Sequence, residues 1–401
     1  AGASNSITIT AKDASGNTAT GYTGSKNLTF SGATSSTAPV TTAKVTNSAA
    51  TDIAFGTTTA LTFASGAVTT NMKLYNVETA LVAVTDGAIS AAGADRLSVA
   101  VSAAAFNKLA VSLTSPQTNG TAFTGTNTLT AQDAYGNTVT GFAANTNNVT
   151  VTTSLTGTVS GLGSGVNNVL NQAGDFTSGV ANLTSLGLKF TGTSGAGTFT
   201  FTPASGTAAT SGSVTINPGA ATKLVVTGTG TQTAGGSQTV TITAKDADGN
   251  TATTYTGAKN ITFSGAAASP SPATTPTVAG TNFGTATSLT FTAGVASGSM
   301  ILYKAESATV NASDGTINSN TGGTLNVTVS SSTMTKLGTV TMASPQTNGT
   351  AFTGTNTLTA LDAYGNTATG FDASANNITL IPSLSGAISG LSGGNKLTGS
   401  G

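Results

Sequence analysis

The sequence predicts an all-β chain of two-sheet sandwich domains in tandem, ordered A-B-A-B, and three observations predict it. One phrase recurs four times: AKDASGNT from Ala11, AQDAYGNT from Ala131, AKDADGNT from Ala244 and ALDAYGNT from Ala360. Its aspartates, Asp13, Asp133, Asp246 and Asp362, lie 120, 113 and 116 residues apart, the length of one small β domain. Apolar residues also alternate at period two, as in Ile7 and Ile9, Leu28 and Phe30, Leu61 and Phe63, Val82 and Val84, and Phe199 and Phe201. That period places one face of each strand on a core. Threonine suits the wet face because its branched Cβ favours extended backbone. No helical period persists, so each repeat is expected to be a sandwich of seven or more strands.

The repeats are of two kinds. ITITAKDASGNTATGYTGSKNLTFSGA from Ile7 returns 233 residues later as VTITAKDADGNTATTYTGAKNITFSGA from Val240. SPQTNGTAFTGTNTLTA from Ser115 returns word for word 229 residues later from Ser344. Lys-Leu opens a repeat at Lys108, Lys223 and Lys336, after short AAAF, PGAA and SSTM linkers. The expected domains are therefore 1–102 (type A), 103–217 (type B), 218–330 (type A) and 331–401 (type B). Aligned with the third domain, the first lacks the opening strand that begins at Lys223, and the last domain stops a little past halfway. The sequence thus reads as a window on a longer chain, with any export signal or anchor outside it. No apolar run approaches the ~18 to 20 residues of a membrane span.

The recurring phrase has a backbone explanation. An aspartate opening a turn caps nearby amides with its carboxylate, glycine three residues later takes positive φ, and asparagine tolerates the same region. Asp13, Gly16 and Asn17, Asp133, Gly136 and Asn137, Asp246, Gly249 and Asn250, and Asp362, Gly365 and Asn366 are the expected turn residues. The variable position holds Ser15, Tyr135, Asp248 and Tyr364, as expected of a side chain facing solvent. Asp86-Gly87 and Asp314-Gly315 read as further turns.

The run TAKDASGNTATGYTGSKNLTFSG resembles the opening of bacterial immunoglobulin-like repeats, the stacked domains of invasin- and intimin-type adhesins and other giant surface proteins. The resemblance covers all four repeats. It implies immunoglobulin-like sandwiches in a cell-surface setting and supplies no binding residues.

Composition bounds the chemistry. Only 6% of residues are charged, 13 basic against 13 acidic, while serine and threonine together number 128 of 401. A neutral surface has no electrostatic footprint for nucleic acid or anionic lipid. With no histidine and no cysteine, imidazole and thiolate nucleophile or zinc chemistry is excluded. The recurring aspartates belong to separate repeats, and no enzyme is expected.

Asp246, Asp248 and Asn250 are the candidate calcium ligands, since their spacing imitates the start of an oxygen-ligand loop. Ser15, Tyr135 and Tyr364 replace the middle ligand elsewhere and no closing glutamate follows, so the turn explains them and no cofactor is expected. Glu78 and Glu306, the only glutamates, occupy matching places, as do Lys26 and Lys259, and read as ion-paired. Nine Asn-x-Ser/Thr sequons are about the number chance gives in so hydroxyl-rich a chain. Tyr135 and Tyr364 are the best exposed candidates for sugar stacking.

The expected function is structural and extracellular, a repeat region of a fibre, sheath or surface layer that self-associates through uncharged faces. The alternative is the stalk of an adhesin holding a distant tip. Contact with a glycan or host surface would then come through regions outside this sequence.

Overall fold

A computed structural model describes residues 1–163 and 168–398, so the end of the last expected domain lies outside the described residues. The chain is all-β, its strands gathered into many small sheets, and divides into two compact units, Ala1–Asn217 and Pro218–Gly401.

In the first unit, the A repeat consists of two four-stranded sheets. One runs Ser4–Thr10, Ala67–Lys73, Lys44–Thr46, Asp52–Ala54, and the other Thr59–Phe63, Gly24–Ser31, Thr79–Thr85, Leu97–Ala100. Alternation sets which residues meet: Thr59, Leu61 and Phe63 are buried while Ala60 and Thr62 face water. They close on Leu28, Phe30, Met72 and Val82. Each large side chain so buried contributes roughly 1.5–3 kcal/mol.

The B repeat of this unit is more fragmented, its strands falling into four small sheets. Six phenylalanines hold its core: Phe123, Phe142, Phe176, Phe190, Phe199 and Phe201. Their rings meet edge to face, as in Phe142–Phe176 at 4.7 Å, the arrangement that the ring quadrupole favours. One helical turn, Leu183–Leu186, interrupts the strands. The Asn182 side chain caps it by accepting from the Ser185 N–H, and Gly187 ends it at φ +87°.

In the second unit, the A repeat carries two five-stranded sheets. One runs Lys223–Thr227, Ser237–Lys245, Val295–Ile301, Thr277–Val278, Thr281–Asn282, and the other Thr231–Thr233, Leu325–Ser330, Ser307–Ser313, Gly257–Ser264, Ala286–Phe291. Leu325–Ser330 alternates strictly between buried and exposed. The following B repeat pairs Met334–Leu337 with Ala360–Asp362 and Ile378–Thr379 with Lys396–Leu397.

The two A repeats differ at one edge. Val240 and Ile242 of the second unit are fully buried, because Lys223–Thr227 lies along their strand. Their counterparts Ile7 and Ile9, expected to face a core, are only half-buried, since Ser4–Thr10 is itself the sheet edge.

Candidate functional site

The four recurring turns share one geometry. The aspartate Oδ1 accepts the N–H groups two and four residues on: Ser15 and Asn17 at Asp13, Tyr135 and Asn137 at Asp133, Asp248 and Asn250 at Asp246, Tyr364 and Asn366 at Asp362, all at 2.8–3.0 Å. The glycine N–H closes the turn onto the aspartate carbonyl, and Gly16, Gly136, Gly249 and Gly365 all have φ between +82° and +88°. A residue with a Cβ would be strained there.

Three of these aspartates also hold the chain entering their repeat. Oδ2 accepts from Ala104 N at Asp133, Gly219 N at Asp246 and Ser332 N at Asp362, at 2.9–3.0 Å. Asp133 and Asp362 are wholly buried. Burial by itself would raise their carboxyls, but the donors from the asparagine side chain, the linker amide and the turn backbone outweigh it and hold both below the ordinary carboxylate value.

In the B repeats the turn does more, because it docks on the preceding A repeat. Asn137 Oδ1 accepts from Val77 N at 2.9 Å while its Nδ2 donates to Tyr75 O and Asp133 Oδ2, both at 2.8 Å. The Tyr135 carbonyl accepts from Ala38 N at 3.2 Å, and Lys108 Nζ donates to Ala38 O at 2.5 Å. The rings of Tyr75 and Tyr135 meet at 4.9 Å.

The second unit repeats this contact for contact. Asn366 bonds Ala305 N at 2.7 Å and Tyr303 O at 2.8 Å. Tyr364 O accepts from Ser271 N at 3.0 Å, Lys336 Nζ donates to Ser271 O at 2.9 Å, and Tyr303 meets Tyr364 at 5.1 Å. Gly2 and Gly235 make room for the tyrosines: a Cβ there would lie 2.3 Å from the Tyr135 hydroxyl and 2.1 Å from that of Tyr364.

Several expectations are corrected by this arrangement. Tyr135 and Tyr364 do not face solvent and are not exposed sugar platforms; both are half-buried at the junction, whereas Ser15 and Asp248 are exposed. The Lys26–Glu78 ion pair does not form. Glu78 accepts from Thr34 N and Oγ1, and Lys26 sits 4.6 Å over the Tyr22 ring. Likewise Glu306 accepts from Ala267 N and pairs with Lys304 at 3.0 Å, leaving Lys259 over Tyr255. The carboxylate of Asp246 receives Asp248 N, Asn250 N, Asn250 Nδ2 and Gly219 N. Among the described residues no three acidic, histidine or cysteine side chains are grouped to hold a metal, and no helix is long and apolar enough to cross a membrane. The Asn119 sequon is buried.

Sequence reasoning missed two features. Tyr75 and Tyr303 stand in matching LYNVET and LYKAES runs, and each precedes a repeat whose turn carries tyrosine. That co-occurrence was the available signal. Tyr22 and Tyr255 donate to Asp86 and Asp314 at 2.6 Å, tying the start of each A repeat to its Asp-Gly turn. Burial and the aspartate push the Tyr22 phenol up to about 12. Backbone amides and the phenol hold Asp86 at about 2.

No protein-family model matches the chain, and no curated protein matches it. Solved structures similar to it include surface layer protein SbsC, domains 4–9, at 20% identity over 83% of this chain and 43% of that one, with a TM-score of 0.19. Yersinia pseudotuberculosis InvD is 16% identical over 80% of this chain and 91% of that one, with a TM-score of 0.29. A putative membrane anchored protein from Corynebacterium diphtheriae is 11% identical over 82% and 86%, with a TM-score of 0.18. The chain thus spans less than half the length of the SbsC structure. At such TM-scores nothing about domain placement, residues or function carries over.

Proposed function

We propose that this chain is a structural repeat region of an extracellular fibre, sheath or surface layer, in which each A-B pair is one stiff segment. The observation that carries the proposal is the duplicated junction: two buried asparagines, two tyrosine pairs and two lysines make the same bonds at both A-to-B junctions. A junction with side-chain amides bonded to the neighbouring backbone resists bending, because bending would strand buried polar groups. Near-zero charge favours lateral association of segments, since little repulsion opposes it. The domain boundaries near 102, 217 and 330 belong to this proposal, as do the surface location and the absence of catalysis. The recurring carboxylates are engaged by turn and linker amides, a structural use.

Electron microscopy of the assembled material tests the proposal. Ordered fibres or sheets with an axial repeat of about 40–90 Å, the length of one or two sandwiches of ~3.3 Å per residue, are expected. Isolated strings with no lateral order would replace it with the stalk of an adhesin.

A further inference from the structure

The two A repeats differ in the length of one internal hairpin. In the first, Lys44–Thr46 and Asp52–Ala54 are joined by residues 47–51, Asn-Ser-Ala-Ala-Thr. In the second, Thr277–Val278 and Thr281–Asn282 are joined by Ala279 and Gly280 alone. The flanks match on both sides: Val45 lies opposite Met72 as Val278 lies opposite Met300, and Phe55 N bonds Ala43 O as Phe283 N bonds Pro276 O. Val45 and Val278 are 233 residues apart and Phe55 and Phe283 are 228 apart, so the second repeat is five residues shorter at this turn.

In the first repeat those residues guard a sheet edge. The Asn47 side chain fixes the turn by accepting from Ala49 N and Thr51 N at 3.0 and 2.9 Å. Ser48 is thereby held against the terminal strand Thr59–Phe63, where its N–H donates to Ala60 O at 3.1 Å and its Oγ accepts from Thr62 N at 2.8 Å. The counterpart strand Ala286–Phe291 also ends its sheet, and its one ladder partner among the described residues is Gly257–Ser264. Ser288 and Thr290 stand at the places of Ala60 and Thr62. By the alternation of an antiparallel ladder their N–H and C=O groups, with those of Ala286, face outward. The side chains of Ala286, Ser288 and Thr290 are exposed, while Thr287, Leu289 and Phe291 hold the strand to the core.

Charge, another common protection of a sheet edge, is missing from the same place. Residues 260–303 of the second repeat include no acidic or basic side chain, whereas the matching stretch of the first carries Lys44, Asp52 and Lys73. We propose that Ala286–Phe291 pairs antiparallel with the same strand of a second copy, about a two-fold axis at Ser288. Ser288 then faces its own counterpart and Ala286 faces Thr290, so each outward N–H meets an outward C=O and one sheet runs through both copies. A second copy fits this edge because the strand is self-complementary in that register, carries no charge to repel its equal and has no proline to interrupt the ladder. The first A repeat does not pair in this way, since Ser48 occupies its edge. The pairing rests on the structural role proposed above, for which it supplies a lateral contact.

The test is sedimentation of the full 401-residue chain, with amide exchange read at Ser288 and Thr290 over the same concentration series. A reversible dimer is expected, in which those two amides become protected as concentration rises. Ser288→Pro removes one outward amide from an edge strand, a place that tolerates proline, and should weaken dimerisation about tenfold or more with the thermal transition retained. Inserting Asn-Ser-Ala-Ala-Thr after Ala279, which gives the second repeat the turn of the first, should abolish it. The proposal is overturned if the chain stays monomeric, if a dimer forms with Ser288 and Thr290 unprotected, or if both variants dimerise as the parent does. Electron microscopy separates its failure from that of the structural role. Ordered fibres or sheets of unchanged spacing from the Ser288→Pro chain would overturn the edge contact alone. Isolated strings from a parent chain whose Ser288 and Thr290 amides are protected would overturn the fibre or layer and leave the pairing standing.

Discussion

Asn137→Ala is the sharpest probe of the A-to-B junction. The substitution deletes three bonds at 2.8–2.9 Å, to Val77 N, Tyr75 O and Asp133 Oδ2. The residue is 7% exposed, so water replaces these partners poorly. Only the bonds to Val77 N and Tyr75 O cross the junction, the third lying within the turn; at about 1 kcal/mol for each neutral bond, the junction should lose roughly 2 kcal/mol, about a 30-fold rise in its opening equilibrium. Amide hydrogen exchange reads this residue by residue. Val77 loses its acceptor directly, so the decisive reporter is the Ala38 amide, bonded to the Tyr135 carbonyl and untouched by Asn137. If the junction opens as a unit, Ala38 exchange accelerates by about the same factor. The Ala305 amide, bonded to Asn366 in the second unit, is an internal control and stays unchanged. Accelerated Val77 with unchanged Ala38 would refute the reasoning, because the contacts would then be independent.

Acid should open both junctions. Asp133 and Asp362 titrate below the ordinary value of 3.8 when folded, so the stability they add is complete above that pH and is lost as pH falls through the lower folded value. Small-angle scattering should show unchanged dimensions down to about pH 5 and expansion only at still lower pH. Tyr364→Ser, which installs the residue that the first turn carries at Ser15, removes the ring contact with Tyr303. It should cost about 1–3 kcal/mol, measured as faster exchange at Ser271 N while Ala38 is unaffected. Tyr22→Phe deletes the 2.6 Å bond to Asp86 and should remove from the ultraviolet phenol titration the group that ionises near 12. An unchanged high-pH limb would show that Tyr22 is not bonded as described.

Much of the fold was readable because its determinants are local. The Asp-x-x-Gly-Asn turn closes within five residues, so its donors, acceptors and positive φ are all specified by adjacent letters. Period-two alternation likewise needs only neighbouring residues, and Leu61 and Phe63 are buried as it requires. The side-chain direction of the tyrosine in the B turns is not set locally. Nothing within its own repeat distinguishes a ring facing water from one facing Tyr75, 60 residues earlier.

By itself, then, the sequence determined the repeat period, the strand faces and the turn chemistry, since each is set by hydrogen bonds and side-chain direction over a few residues. The tertiary structure alone shows that Asn137 and Asn366 bind a neighbouring repeat and that Glu78 turns to Thr34 rather than Lys26. Those outcomes depend on which surfaces meet across 40 or more residues of chain, and burial, not spacing, selects among them.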